Sequence, residues 1–157
     1  MYAQTAGRKW AGSTVALVLA VFLIVGFAPA RSHADERFGR RLFMVSLTNT
    51  DRADHERRVL DFNAKISRYA KRHSEEMAGK GYIYHSDTDA LRKILAPYDW
   101  SIGGENVGVG GSLESLESAF MHSKEHRENI LRSAFDHMAV GLYTEDDKLW
   151  VTIIFYG

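Results

Sequence analysis

Leu149-Trp150-Val151-Thr152-Ile153-Ile154-Phe155-Tyr156, at the end of the sequence, is the stretch whose reading decides the fold. Its residues are β-branched, aromatic or aliphatic, the types that suit a pleated surface. Val151, Ile153 and Phe155 alternate with Thr152, Ile154 and Tyr156, so both faces carry apolar side chains. A strand of that kind is covered on both sides. Residues 138–143 form a second strand-like run, and Thr144-Glu145-Asp146-Asp147-Lys148 between the two supplies a turn. The pair reads as an antiparallel hairpin.

What precedes the hairpin is helical. Ile66, Tyr69, Ala70, His73 and Met77 recur at helical spacing after Asn63, a good N-cap, and Gly79 and Gly81 end the pattern. His73 falls on the apolar stripe and reads as a core histidine. Residues 90–95 make a short helix capped by Asp87 or Thr88 and stopped by Pro97. Ser112 caps a further helix through Leu113, Leu116, Ala119 and Phe120, which continues or restarts through His126 to Leu131. Upstream, residues 42–47 form a first helix ending near Asn49, and the charged residues 35–41 read as a disordered lead-in. Helices first and a doubly covered hairpin last predict an α+β domain, a three-layer α/β/α sandwich around a small antiparallel sheet.

Glycines crowd residues 103–111, where Gly103, Gly104, Gly108, Gly110 and Gly111 imitate a phosphate-binding loop. No Lys-Ser or Lys-Thr follows and no βαβ frame surrounds them, so nucleotide binding is rejected. The expectation is a turn that uses positive φ angles and close backbone approach.

Composition narrows the function. The 157 residues contain 20 basic and 20 acidic groups and no cysteine. Balanced charge excludes a typical nucleic-acid protein. The missing thiols exclude disulfides, cysteine-ligated zinc and thiol catalysis. Arg8, Lys9 and Arg31 are the only charges before Asp35, so the rest is mildly acidic.

Residues 1–34 read as an export element: Arg8 and Lys9, an uncharged apolar run over 11–30, then small-x-small sites at Ala28-Pro29-Ala30 and Ser32-His33-Ala34. About twenty apolar residues also suffice for a retained N-terminal membrane anchor. Either way the remainder is expected to be secreted or to stand outside the membrane, which it touches only through this segment.

In order, the segments resemble a bacterial-type single domain of the CAP superfamily, the SCP-like group of cysteine-rich secretory protein, antigen 5 and pathogenesis-related 1. The resemblance rests on Leu47, Asn49 and Arg52; on Tyr69-Ala70, His73-Ser74 and Met77-Ala78; and on Tyr84-His85-Ser86. It continues through Gly104-Glu105-Asn106-Val107, then Ser123, His126-Arg127 and Asn129-Ile130-Leu131, and closes with Val140-Gly141-Leu142, Leu149-Trp150, Thr152 and Phe155. The matched region covers residues 42–157. It implies the α–β–α sandwich of that superfamily and a cleft lined by two histidines and two acids that bind a divalent metal in some members. Position by position, His85 matches the first histidine, Glu105 the first acid and His126 the second histidine. Phe120 replaces the family's usual tryptophan, and Ser123 stands where the second acid would be.

Two imidazoles and a carboxylate can hold Zn²⁺ with one position left for water, and zinc is the cofactor the trio would take. Without metal the same groups form a hydrogen-bonded cluster at the floor of a groove. On a continuous helix His122 and His126 would share a face, but Ser123 fills the place of the glutamate of a zinc-protease helix. Ser123 and His126 at i,i+3 lack a nucleophile elbow and an orienting acid. Asn106 is expected to bond backbone within the glycine-rich turn. The favoured expectation is therefore a non-enzymatic module for a lipid, peptide or cell-wall ligand. A metal-dependent hydrolase or protease using the same cleft is the alternative.

Overall fold

The computed structural model describes residues 32–157, so the expected export element up to residue 31 lies outside the described residues. The elements run α1 (His33–Asp54), β1 (Asp61–Phe62), α2 (Ile66–Lys80), α3 (Thr88–Leu95), β2 (Gly103–Gly110), α4 (Leu113–His122), α5 (Lys124–Leu131), β3 (His137–Glu145) and β4 (Lys148–Tyr156). The sheet order is β1-β3-β4-β2. The hairpin is as the sequence predicts, with β3 antiparallel to β4 from His137↔Tyr156 to Glu145↔Lys148. Its turn shrinks to Asp146 and Asp147, both at positive φ (48° and 58°), which matches the twist of paired strands. The sheet is mixed rather than wholly antiparallel, because the two-residue β1, unforeseen in the sequence, pairs parallel with β3.

Each alternating set of β4 meets its own helical layer. Val151, Ile153 and Phe155 join Met44, Leu113, Phe120 and Ile130 in the core on the side of α1, α4 and α5. Ile154 and Tyr156 join Ile66, Ala70 and Leu95 beneath α2 and α3, while Trp150 packs with Met77 and Val107. The domain is thus a three-layer α+β sandwich.

Two local expectations are corrected. Residues 35–41 are helical, not a disordered lead-in: α1 starts at His33, fixed by a capping box between Ser32 and Asp35, and runs past Asn49 to Asp54. The glycine-rich stretch is a strand, not a turn, and none of its glycines has positive φ. Close approach is what they permit, since a Cβ on Gly108 would lie 3.0 Å from the Phe120 ring. Of the two courses left open after Ser112, the helix restarts and does not continue, because Ser123 is extended (φ −93°, ψ 123°) and separates α4 from α5.

The tightest contact joins α2 to the sheet. A Cβ at Gly141 of β3 would sit 2.0 Å from the Ala70 carbonyl carbon and 2.2 Å from the Lys71 nitrogen. Small hydroxyls stitch the same seam. Ser74 Oγ donates to Gly141 O (3.2 Å) and lies 2.9 Å from Thr152 Oγ1, and Val140 N–H donates to Ser67 Oγ. Gly141→Ala must therefore push a helix off the sheet and should destabilise the fold by about 3 kcal/mol or more. Gly79→Ala, on α2 with nothing within 4 Å of the new Cβ, should stabilise it by about 0.5–1 kcal/mol. Urea unfolding of the two variants checks both signs.

Between α1 and α4 lies a buried acid, Glu117, only 3% exposed. Its carboxyl oxygens, like Thr48 Oγ1 beside them, make no hydrogen bond among the described residues. Burial raises its pKa to about 8, a rise that the nearby Thr48 hydroxyl opposes and the Asp51 charge reinforces. Between its unfolded value of 4.5 and about 8 the folded chain holds a proton that the unfolded chain has lost, so Glu117 makes stability fall as pH rises through that window. Glu117→Gln should abolish this component, gaining roughly 2–4 kcal/mol over wild type at pH 8 and little at pH 5. Denaturant midpoints of the two proteins from pH 5 to 8.5 measure it.

Candidate functional site

β2 borders β4 on one side only, so side chains from both helical layers can reach past its open edge. Gly104 faces α5, where a Cβ would crowd Asn129 and Phe135, whereas Gly103 faces Leu95 and Trp100. The period-two alternation sends Glu105 to the α2/α3 side and Asn106 to the α5 side.

His85 precedes α3 on the loop from Gly81, whose left-handed conformation (φ 78°) ends α2. His73 of α2 fixes that loop one residue upstream. Its Nε2–H donates to Tyr84 O at 2.8 Å, and its ring meets the Tyr84 ring edge-on at 4.8 Å. His73 is a core histidine, as its place on the stripe predicts, and it also positions the site.

From there the His85 imidazole reaches Glu105, with Nδ1 2.9 Å from Oε1. The Ser86 backbone N–H donates to the same oxygen at 2.8 Å. The pair is lopsided: the His85 side chain is 63% exposed and that of Glu105 4%. Glu105 Oε2 and Ser86 Oγ are buried without a hydrogen-bond partner among the described residues. Such orphaned atoms are uncommon, because burial strips their water without replacing it. A cavity of about 450 Å³ lined by Leu91, Leu95, Trp100 and Ile154 adjoins Glu105.

His126 enters from α5, half-buried, with its ring 5.0 Å from that of Phe120. Burial chiefly, and the His85 charge second, lower its pKa below the ordinary 6.5. The two imidazoles, from opposite layers, are thus close enough to oppose each other's charging. Ser123 is half-buried at the α4–α5 joint, three residues before His126. Asn106 does not bond within a turn. It donates to His126 O (3.0 Å) and accepts from Asn129 Nδ2 (2.9 Å), while Asn129 also donates to Glu105 O. These bonds clamp α5 onto β2 and hold the His126 backbone beside Glu105.

His122 does not share a helix face with His126. The break at Ser123 turns it away, its Nδ1–H donates to Ser118 O, and it lines a separate cavity with Met121 and Arg127. Among the described residues no three His, Cys, Asp or Glu are grouped so as to hold one metal ion, so His85, Glu105 and His126 are not assembled as a ligand set. The Glu105 oxygen that faces His85 is already engaged twice.

Shared electrostatics of the two rings is measurable. Replacing His85 by Ala should raise the His126 pKa only part of the way to 6.5, since burial remains, and proton NMR titration of the ring reads the change. An unaltered value would place the two imidazoles in separate environments.

The comparisons agree with the fold. The sequence model of the cysteine-rich secretory protein (CAP) family matches residues 45–155. The Bacillus subtilis (strain 168) protein YkwD is 32% identical over 114 residues, which are 68% of this chain and 43% of that protein. A Bacillus anthracis extracellular protein containing an SCP domain superposes with TM-score 0.64 at 24% identity, over 76% of this chain and 41% of its own. An outer surface protein of Borrelia burgdorferi gives a TM-score of 0.65 at 18% identity, over 80% of this chain and 95% of its own. The chain spans about two fifths of the two Bacillus relatives. With a sandwich, a motif order and a family match that all coincide, the chain belongs to the CAP family.

Proposed function

We propose that this chain is a secreted or surface-exposed CAP domain that works as a non-enzymatic binding module, seating its ligand over the His85–Glu105 pair with His126 and Ser123 facing it. The Glu105 carboxylate carries this reading: one oxygen is saturated by His85 and the Ser86 N–H, and the other is buried without a partner. A carboxylate so placed at an exposed imidazole suits a ligand that brings its own N–H or O–H donor. The adjoining cavity, walled by Leu91, Leu95 and Trp100, suits an apolar group on the same ligand. Lipids, peptides and cell-wall glycopeptides have both features.

An address outside the cell is supported by two similar structures, one described as extracellular and one as an outer surface protein. The Arg8-Lys9 pair followed by an apolar run points the same way.

The alternative is a metal-dependent hydrolase in which rearrangement brings His126 onto the same carboxylate. The unpartnered Glu105 Oε2, which a cation would satisfy, is the observation in its favour. Calorimetric titration with Zn²⁺ of wild type, His85→Ala and His126→Ala separates the two. The binding module predicts no saturable one-to-one uptake, and uptake lost in both variants would establish the metal site. Retention on purified murein sacculi, phospholipid vesicles and a peptide array, compared with Glu105→Gln, then tests the module itself. Selective retention on one surface that Glu105→Gln loses is expected. Equal behaviour of the variant on all three would remove the cleft from ligand binding.

A further inference from the structure

The first half of α1 contributes no fully buried residue to the core. Residues 33–43 are all exposed or half-buried, and the core begins at Met44. Phe38, Leu42 and Phe43 on it are 40–45% exposed. Helices in proteins owe most of their stability to an apolar face that packs, and here three turns carry large apolar side chains with little to pack on. Phe38 meets the Phe62 ring edge-on, at 6.2 Å between centroids.

Cations gather beside these residues. Arg37, Arg40 and Arg41 line a cavity of about 310 Å³ with Lys71 of α2 and Tyr143 and Thr144 of β3. No acid lines it. Arg40 donates to Thr144 Oγ1 at 3.3 Å, and Lys71 is paired with Glu75 at 2.7 Å. None of the three arginines forms an ion pair among the described residues, although Asp35 and Glu36 share their helix. Partial burial and the neighbouring Arg37 charge lower the pKa of Arg41, the direction expected where cations crowd without an anion.

The position of this cluster in the sequence names its partner. Only Arg31 and Ser32 separate α1 from the uncharged apolar residues 11–30 in the sequence. Residues 11–30 in a bilayer would bring α1 to the headgroup layer. There aromatic and aliphatic side chains enter the acyl boundary while arginine stems extend to phosphates.

We propose that the first half of α1, with Lys71 and Tyr143, is a membrane-contact surface that binds anionic phospholipid headgroups and lays Phe38, Leu42 and Phe43 into the interface. The proposal rests on residues 11–30 entering the bilayer, whether or not they are later cleaved, and it adds a lipid contact beyond that segment.

The cysteine-free chain permits a clean test. Gly39 has nothing within 4 Å of an added Cβ, so full-length Gly39→Cys can carry a polarity-sensitive fluorophore on the open face of α1. The labelled protein is mixed with phosphatidylcholine vesicles and with vesicles containing phosphatidylglycerol, and flotation and emission are read together. A blue shift confined to the anionic vesicles, lost at high salt and in the Arg37→Glu/Arg40→Glu/Arg41→Glu variant, is the expected result. Flotation with both vesicle types but identical emission would overturn the α1 contact and leave the reading of residues 11–30 intact. Failure to float with either would remove both. A shift produced equally by a soluble phosphopeptide would overturn the membrane as partner. Circular dichroism of the charge-reversed variant, expected to match wild type, separates lost binding from lost folding.

Discussion

One buried guanidinium organises the half of the domain that carries His126. Arg52, wholly buried on α1, donates to the backbone carbonyls of Arg58, Ile130, Arg132 and Phe135. Its partners are carbonyl oxygens and not a carboxylate, so the charge is held by dipoles. Ile130 and Arg132 lie at the C-terminal end of α5, where orphaned carbonyls concentrate negative potential. Burial is the main cause that lowers the Arg52 pKa, with Arg57 and Arg58 adding to it, yet an arginine stays charged in proteins. The residue therefore cannot relieve its burial by neutralising. Its four carbonyls must stay in place, which pins the end of α5, the loop into β3 and the loop after α1 to one point.

That pin and the α2 seam divide the labour of building the site. On one layer, Gly141 lets the α2 backbone lie on β3, and His73 then holds Tyr84 so that His85 projects over β2. On the other, Arg52 fixes the end of α5 while Asn106 and Asn129 fasten its beginning and middle to β2. Glu105 sits between them on β2, an edge strand that both layers can reach around. The site is thus a property of the sheet edge, and neither layer could form it alone.

How far the sequence reveals this depends on the range of the interaction. The hairpin, α2 and α3 are legible because alternation, helical spacing and caps such as Asp87 are local; Asp87 accepts from Ala90 N–H as a cap should. Asn63 caps α2 from two residues before its first turn, accepting from Lys65 and Ile66, so the residue is readable and the boundary is not. The stretch 103–110 misleads because glycine normally weakens strands. Here its small size is demanded by Phe120, Leu116 and Asn129 across the layer, which no local pattern encodes. α1 misleads for the opposite reason, since charge at residues 35–41 hides a helix whose start is set by the Ser32–Asp35 box. Of the site, the family motifs indicate His85, Glu105 and His126. They do not indicate the roles of His73 and Ser86, which act through a ring nitrogen and a backbone N–H.

The two buried acids show how one residue type serves opposite ends. Glu117 lies between helices without a hydrogen bond among the described residues, and burial, outweighing the nearby Thr48 hydroxyl and reinforced by Asp51, keeps the proton on up to about pH 8. Glu105 is buried too, but an imidazole and a backbone N–H converge on one of its oxygens from a separate segment. The enclosed carboxyl of Glu117 is a filler without donors, whereas Glu105 has two donors on one oxygen and none on the other among the described residues. Glu105 is thus the acid that the proposed binding role would use, and Glu117 is a load on stability that the α1–α4 contact bears.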